Sequence, residues 1–161
     1  MLVFIAAGAA GAVACRPAPV PQVHVRMLRA ATDSTAYTVP AAARRCRGGG
    51  VVIAATEGAY GLLAWIHAPG GVTPGTYPLL PRGDTATARG AVVAVRFLTH
   101  EIAHGFTVDS GTLTLTAAGA WYRGRIDGRG LDAGFAVRTP VTAVIDSLSP
   151  APDSVTCGAA P

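Results

Sequence analysis

The chain has 161 residues and a mass of 16.2 kDa, the size of one domain and too small for two of ordinary size once a leader is set aside. Half of the residues are apolar, 14% are charged and the mean hydropathy is +0.40, which excludes charge-driven disorder for the bulk of the chain. All 13 basic residues are Arg, with no Lys and no Asn, so Schiff-base and Lys general-base chemistry are excluded, and left-handed turn positions fall mainly to the 20 Gly and to Asp. The net charge of +4 records this Arg usage and is not accompanied by a basic face interleaved with aromatics, so it does not point to nucleic acid.

Residues 1–14, MLVFIAAGAAGAVA, carry no charged or polar side chain and are too short to span a bilayer, which takes about 20 residues. They read as a signal peptide. Ala12 and Ala14 stand at minus three and minus one from Cys15, the small-residue pattern of a cleavage site. The stretch Ala12-Val13-Ala14-Cys15 resembles a bacterial lipoprotein signal, with Ala12 where Leu is usual and no basic residue before it. Cys15 is therefore the expected lipidation site. Residues 15–22 continue as Arg16-Pro17-Ala18-Pro19-Val20-Pro21-Gln22, whose alternating prolines favour an extended tether.

Three Cys leave one unpaired unless Cys15 is acylated, and Cys46 and Cys157 then remain as a pair. In an oxidising compartment they are expected to form a disulfide; two buried free thiols are the alternative.

Residues 23–161 are expected to form one all-β domain, a single antiparallel β-sandwich or flattened barrel, because short apolar or alternating runs are cut by Gly, Pro and Asp at regular intervals. In chain order the strands are expected at 23–29, 35–39, 51–55, 62–67, 76–79, 91–97, 106–109, 112–116, 121–127, 131–138 and 142–147, with a short last piece at 155–157. Thr112-Leu113-Thr114-Leu115-Thr116 alternates strictly, which places Leu113 and Leu115 toward the core. Asp109-Ser110-Gly111 and Asp127-Gly128 are turn signals, each suggesting a hairpin. Leu62-Leu63-Ala64-Trp65-Ile66 is continuously apolar, as in a strand covered on both faces.

Three segments, Pro74-Gly75-Thr76-Tyr77-Pro78-Leu79, Asp109 to Thr116, and Tyr122-Arg123-Gly124-Arg125-Ile126-Asp127-Gly128, resemble those of small bacterial envelope lipoproteins of unknown function with a β-sandwich domain. The likeness covers roughly residues 46–157. It implies a fold and no active site.

One segment carries a chemical motif. His100-Glu101-Ile102-Ala103-His104 fits H-E-x-x-H, in which two His one helical turn apart bind zinc and the Glu polarises a water for peptide hydrolysis. The motif works only on a helix. Asp84 as an N-cap, Gly105 past the C-terminus, and a stripe of Ala91, Ala94, Val95, Leu98 and Ile102 favour one; Val92, Val93 and Gly90 favour a strand. His100 to Phe106 resembles the motif of thermolysin-like and neprilysin-like peptidases locally, but no Glu follows Glu101, and the third His of metzincins would fall on Ser110. An Asp ligand could come only from Asp109, Asp127, Asp132, Asp146 or Asp153, none in a matching context. On an extended strand His100 and His104 would share a side with Phe106 and Val108 and be partly exposed.

The remaining candidates have plain structural readings. Gly48-Gly49-Gly50 lacks the Lys-Ser/Thr of a phosphate loop; Gly124, Gly128, Gly130 and Gly134 read as hairpin and bulge residues. Arg44, Arg45 and Arg47 flank Cys46 as a solvated loop or a basic rim for anionic headgroups or envelope polysaccharide. Trp65, Tyr77, Trp121 and Tyr122 are core or groove aromatics. The expectation is an exported, lipid-anchored or secreted, monomeric, non-catalytic binding or structural module of the bacterial envelope. It has no cofactor, no nucleic-acid partner, an envelope ligand or protein as its partner, and contact with the membrane only through its anchor. The alternative is a zinc metallopeptidase using His100, His104 and Glu101.

Overall fold

The computed structural model describes residues 20–28, 33–84, 87–132 and 136–157. All its regular structure is strand: β1 (Gln22–Leu28), β2 (Ser34–Cys46), β3 (Val51–Glu57), β4 (Tyr60–His67), β5 (Gly75–Pro78), β6 (Gly90–Thr99), β7 (Ile102–Ala117), β8 (Tyr122–Asp132), β9 (Val137–Leu148) and β10 (Pro150–Val155). Eight of these form one antiparallel sheet in the order β1-β9-β8-β7-β6-β4-β3-β2, and β2 pairs back onto β1 to close it into a barrel. The flattened-barrel form of the expected all-β domain is therefore the one adopted, and closure removes the two free edges a sandwich sheet would have to protect.

Two long strands make the corners. One edge of β2 pairs with β1 over residues 34–40 and then with the parallel β10 over residues 43–46, while its other edge pairs with β3. Likewise, one edge of β7 pairs with β6 over residues 93–108 of the register and then with β5 opposite residues 112–115, while β8 follows the other edge. The segments expected as separate strands at 106–109 and 112–116 are thus one strand, and the hairpin expected at Asp109-Ser110-Gly111 is a bulge between Val108 and Ser110. Asp127-Gly128 is likewise not a hairpin; it lies in the middle of β8. A bulge sharpens the local twist, which a barrel corner requires.

The barrel interior is a packed core. Val23, Val25 and Met27 of β1 meet Val141, Ala143 and Ile145 of β9, and the alternation along β7 buries Leu113 and Leu115 as expected, at 0% and 2% exposure. Along β8 the inward positions include Gly124, Gly128 and Gly130, because β7 comes too close for larger residues: a Cβ on Gly130 would stand 2.6 Å from the Phe106 ring. These three glycines are strand-interior residues, not hairpin residues; Gly134 lies outside the described residues. Strand ends Leu28, Glu57, Thr99 and Asp132 fall at one end of the barrel. The other end gathers Cys46, His67, Ala117 and Leu148.

Cys46, at the end of β2, and Cys157, just past β10, are placed for a disulfide, with Sγ atoms 2.02 Å and Cα atoms 5.4 Å apart. The pair holds β10 against the edge it shares with β2. Residues 1–19, including the expected signal and Cys15, lie outside the described residues.

Candidate functional site

The H-E-x-x-H segment forms a β-hairpin, not a helix. β6 ends at Thr99, which pairs with Ile102 at the start of β7, so His100 and Glu101 are the two turn residues. His100 takes a positive φ of 56° at the first of these positions, the position where a II′ hairpin turn has positive φ. Strand pairing wins here because Val92, Val93 and Val95 are β-branched and the segment alternates, with Ala91, Val93 and Val95 facing the core and Val92 and Ala94 facing outward.

The hairpin separates the motif's three residues. His100 and Glu101 are exposed at the tip, while the His104 side chain turns inward and is 9% exposed. Its ring stacks on Phe97 at 5.2 Å between centroids, and Nδ1 lies 3.9 Å from Oδ1 of Asp132, itself 2% exposed. Of the Asp residues considered as a third ligand, Asp132 is the one the fold brings to His104. His100 stands apart from both in the turn, and among the described residues no cluster of three or more His, Cys, Asp or Glu is placed to hold a metal.

At the same end, Tyr37 and Tyr60 close the barrel with rings 5.1 Å apart, and the Tyr37 hydroxyl donates to the carbonyl of Gly61 at 2.8 Å. Burial pushes the Tyr37 phenol well above its ordinary pKa, against the opposing pull of the Gly61 hydrogen bond and the Arg96 charge.

A cleft opens at the other end, on the outside of the barrel. Its floor is the outer face of β4 and β6, where Trp65 is in register with Val92, and His67 with Gly90. One wall is the turn after β2, carrying Arg47, Gly48 and Gly49, next to Cys157; the opposite wall is formed by Leu80, Asp84 and Thr87. The enclosed volume is about 270 Å³. It is floored by Trp65 because β4 is not covered on both faces as its apolar run suggested: Leu62, Ala64 and Ile66 fill the core, while Leu63 is 44% exposed and Trp65 half-buried.

Several polar groups converge on this cleft. Asp84 accepts hydrogen bonds from the Thr87 backbone N–H at 3.0 Å and the Thr87 hydroxyl at 2.9 Å. That is the local geometry of the expected N-cap, formed without the helix, and it fixes the loop wall. The Arg47 side chain is exposed and makes no ion pair or hydrogen bond among the described residues, though its backbone N–H anchors β10 through Val155 at 2.9 Å. The Trp65 and His67 rings lie 5.5 Å apart. The Trp65 indole N–H is buried with no acceptor among the described residues, a cost of about 1–3 kcal/mol.

The three Arg flanking Cys46 do not form one rim. Arg44 and Arg45 extend β2 and are not in a loop; Arg45 donates to the Gly119 carbonyl at 3.0 Å, and only Arg47 lines the cleft. Of the four aromatics considered for a groove, Tyr77 and Tyr122 are core, Trp121 is 58% exposed in a shallow surface hollow beside Arg123 and Ser147, and Trp65 floors the cleft. Sequence reasoning missed His67 and Thr87 as site residues and read Asp84 only as a cap. The Asp84-to-Thr87 spacing was the available signal.

Comparison with protein-family models, with curated proteins and with solved structures finds no match.

Proposed function

We propose that the chain is a non-catalytic binding module of the bacterial envelope, exported by residues 1–14, anchored through acylated Cys15, and taking a small ligand in the cleft floored by Trp65. The observation that carries this reading is the convergence of Arg47, Trp65, His67 and Asp84 on one concave space. Pockets that combine an apolar floor with a few polar groups are the usual form of small-ligand sites.

Membrane contact through the anchor alone agrees with the outer wall of β8, which exposes Arg123, Arg125, Asp127 and Arg129. In a lipid-facing wall each Arg near the bilayer midplane would cost about 2–4 kcal/mol. No helix among the described residues is long and apolar enough to cross a membrane. The metallopeptidase reading loses its support, since paired ligation by His100 and His104 requires the helical spacing that the hairpin replaces.

The test is a titration of ¹⁵N-labelled protein with soluble envelope fragments, following the indole N–H resonance of Trp65. A saturable shift of that resonance supports the reading; a blank titration sinks it. Mass spectrometry of the mature N-terminus, seeking diacylglyceryl on Cys15, tests the anchor separately.

A further inference from the structure

We infer that the ligand of this cleft is an acidic sugar ring, carboxylated or phosphorylated. The inference rests on the binding reading above and adds the chemistry of the ligand.

The charge on the cleft wall points to an anion. The Arg47 guanidinium has no acidic partner among the described residues, and the carboxylate across the cleft, Asp84, accepts two hydrogen bonds from Thr87. A guanidinium fork is matched to carboxylate and phosphate oxygens, which it binds in pairs.

Size and surface point to one hydroxylated ring. A volume of about 270 Å³ has room for one sugar ring, whether a free sugar or the end of a glycan. Trp65 and Val92 offer an apolar floor for the C–H face of such a ring, and His67 and Asp84 stand at its edge to meet hydroxyl groups. The disulfide partner Cys157 and the Asp84–Thr87 hydrogen bonds hold the walls in place, so the site is formed before the ligand arrives.

The full chain, kept oxidised, carries the test in a Trp121→Phe background so that fluorescence reports Trp65 alone. Glucuronate, a glucuronate-terminated disaccharide, glucose 1-phosphate, glucose and inorganic phosphate are titrated in turn. Glucuronate and glucose 1-phosphate are expected to shift the emission saturably and to bind about tenfold tighter than glucose, a preference that Arg47→Gln removes without moving the melting temperature. Tighter binding of the disaccharide than of free glucuronate assigns the site to a glycan terminus; the reverse assigns it to a free acidic sugar. Equal binding of glucose and glucuronate overturns the anion, and equal binding of inorganic phosphate overturns the ring, in both cases leaving the binding cleft standing. If none of the probes moves Trp65 the acidic-sugar assignment falls, whereas the binding-module reading falls only when the envelope-fragment titration is blank as well.

Discussion

Gly111 of β7 lies directly across from Gly128 of β8, so two sequences that look like separate turns are paired with each other in the barrel wall. Gly111 has φ of +118°, and a Cβ there would run into the carbonyl of Asp127; a Cβ on Gly128 would stand 2.6 Å from Leu79, Val108 and the Ser110 carbonyl. The two glycines let β7 and β8 close together at a bulge that bends the wall.

Gly111→Ala is expected to destabilise the protein by about 2–4 kcal/mol, combining backbone strain with forced separation of the strands. Gly119→Ala is the control: its φ of +117° is as unfavourable, but open space surrounds the position, so only the strain of about 1 kcal/mol should appear. Urea denaturation of both variants measures the difference. Equal losses would show that the close approach contributes nothing.

Cys46 and Cys157 are 111 residues apart in sequence, and a loop of that length is worth roughly 4–5 kcal/mol in the chain-entropy model. The double variant Cys46→Ala/Cys157→Ala should lose about that much, read as a fall in the denaturant midpoint. Reductant should lower the wild-type midpoint and leave the double variant's unmoved.

Burial raises the Tyr37 phenol above its ordinary value of 10, so the folded state holds this proton more tightly than the unfolded chain. The resulting contribution is complete below pH 10 and is lost as pH rises from there through the higher folded value. Tyr37→Phe should cost about 1 kcal/mol at pH 7, where the Gly61 carbonyl loses its donor, and should flatten the decline in stability above pH 10. Denaturation midpoints at pH 8, 10 and 11 for the two proteins check both effects; parallel curves would count against the assignment.

His100 holds a positive φ in a turn that favours Gly, at a cost of about 1–2 kcal/mol for a side-chain-bearing residue. His100→Gly is therefore expected to leave the fold intact and to change stability by less than about 1 kcal/mol, the relief of strain being offset by the extra freedom of Gly in the unfolded chain. Added zinc should leave the melting temperature of the wild type and of this variant unchanged, since no cluster of metal ligands is assembled among the described residues. Loss of a zinc-dependent stabilisation in His100→Gly would restore the metal reading.

Much of the architecture was legible along the chain because strand formation leaves a local record. The alternation of Thr112 to Thr116 and the β-branched run at Val92, Val93 and Val95 identify extended segments without reference to anything distant. The Cys46–Cys157 pairing was reachable by counting. Gly111 and Gly128 were misread for a physical reason: a glycine at a turn and a glycine at a close strand approach look alike until the opposing strand is known.

What the amino-acid order settled by itself was therefore the all-β class and the inward residues of the alternating strands. Closure of the sheet, the merging of two segments into β7, and the inward turn of His104 away from Glu101 were decided by pairings between distant strands. The cleft belongs to that second group. Arg47, Trp65, His67 and Asp84 come from three separate stretches of chain, and only the barrel's register brings them around one space.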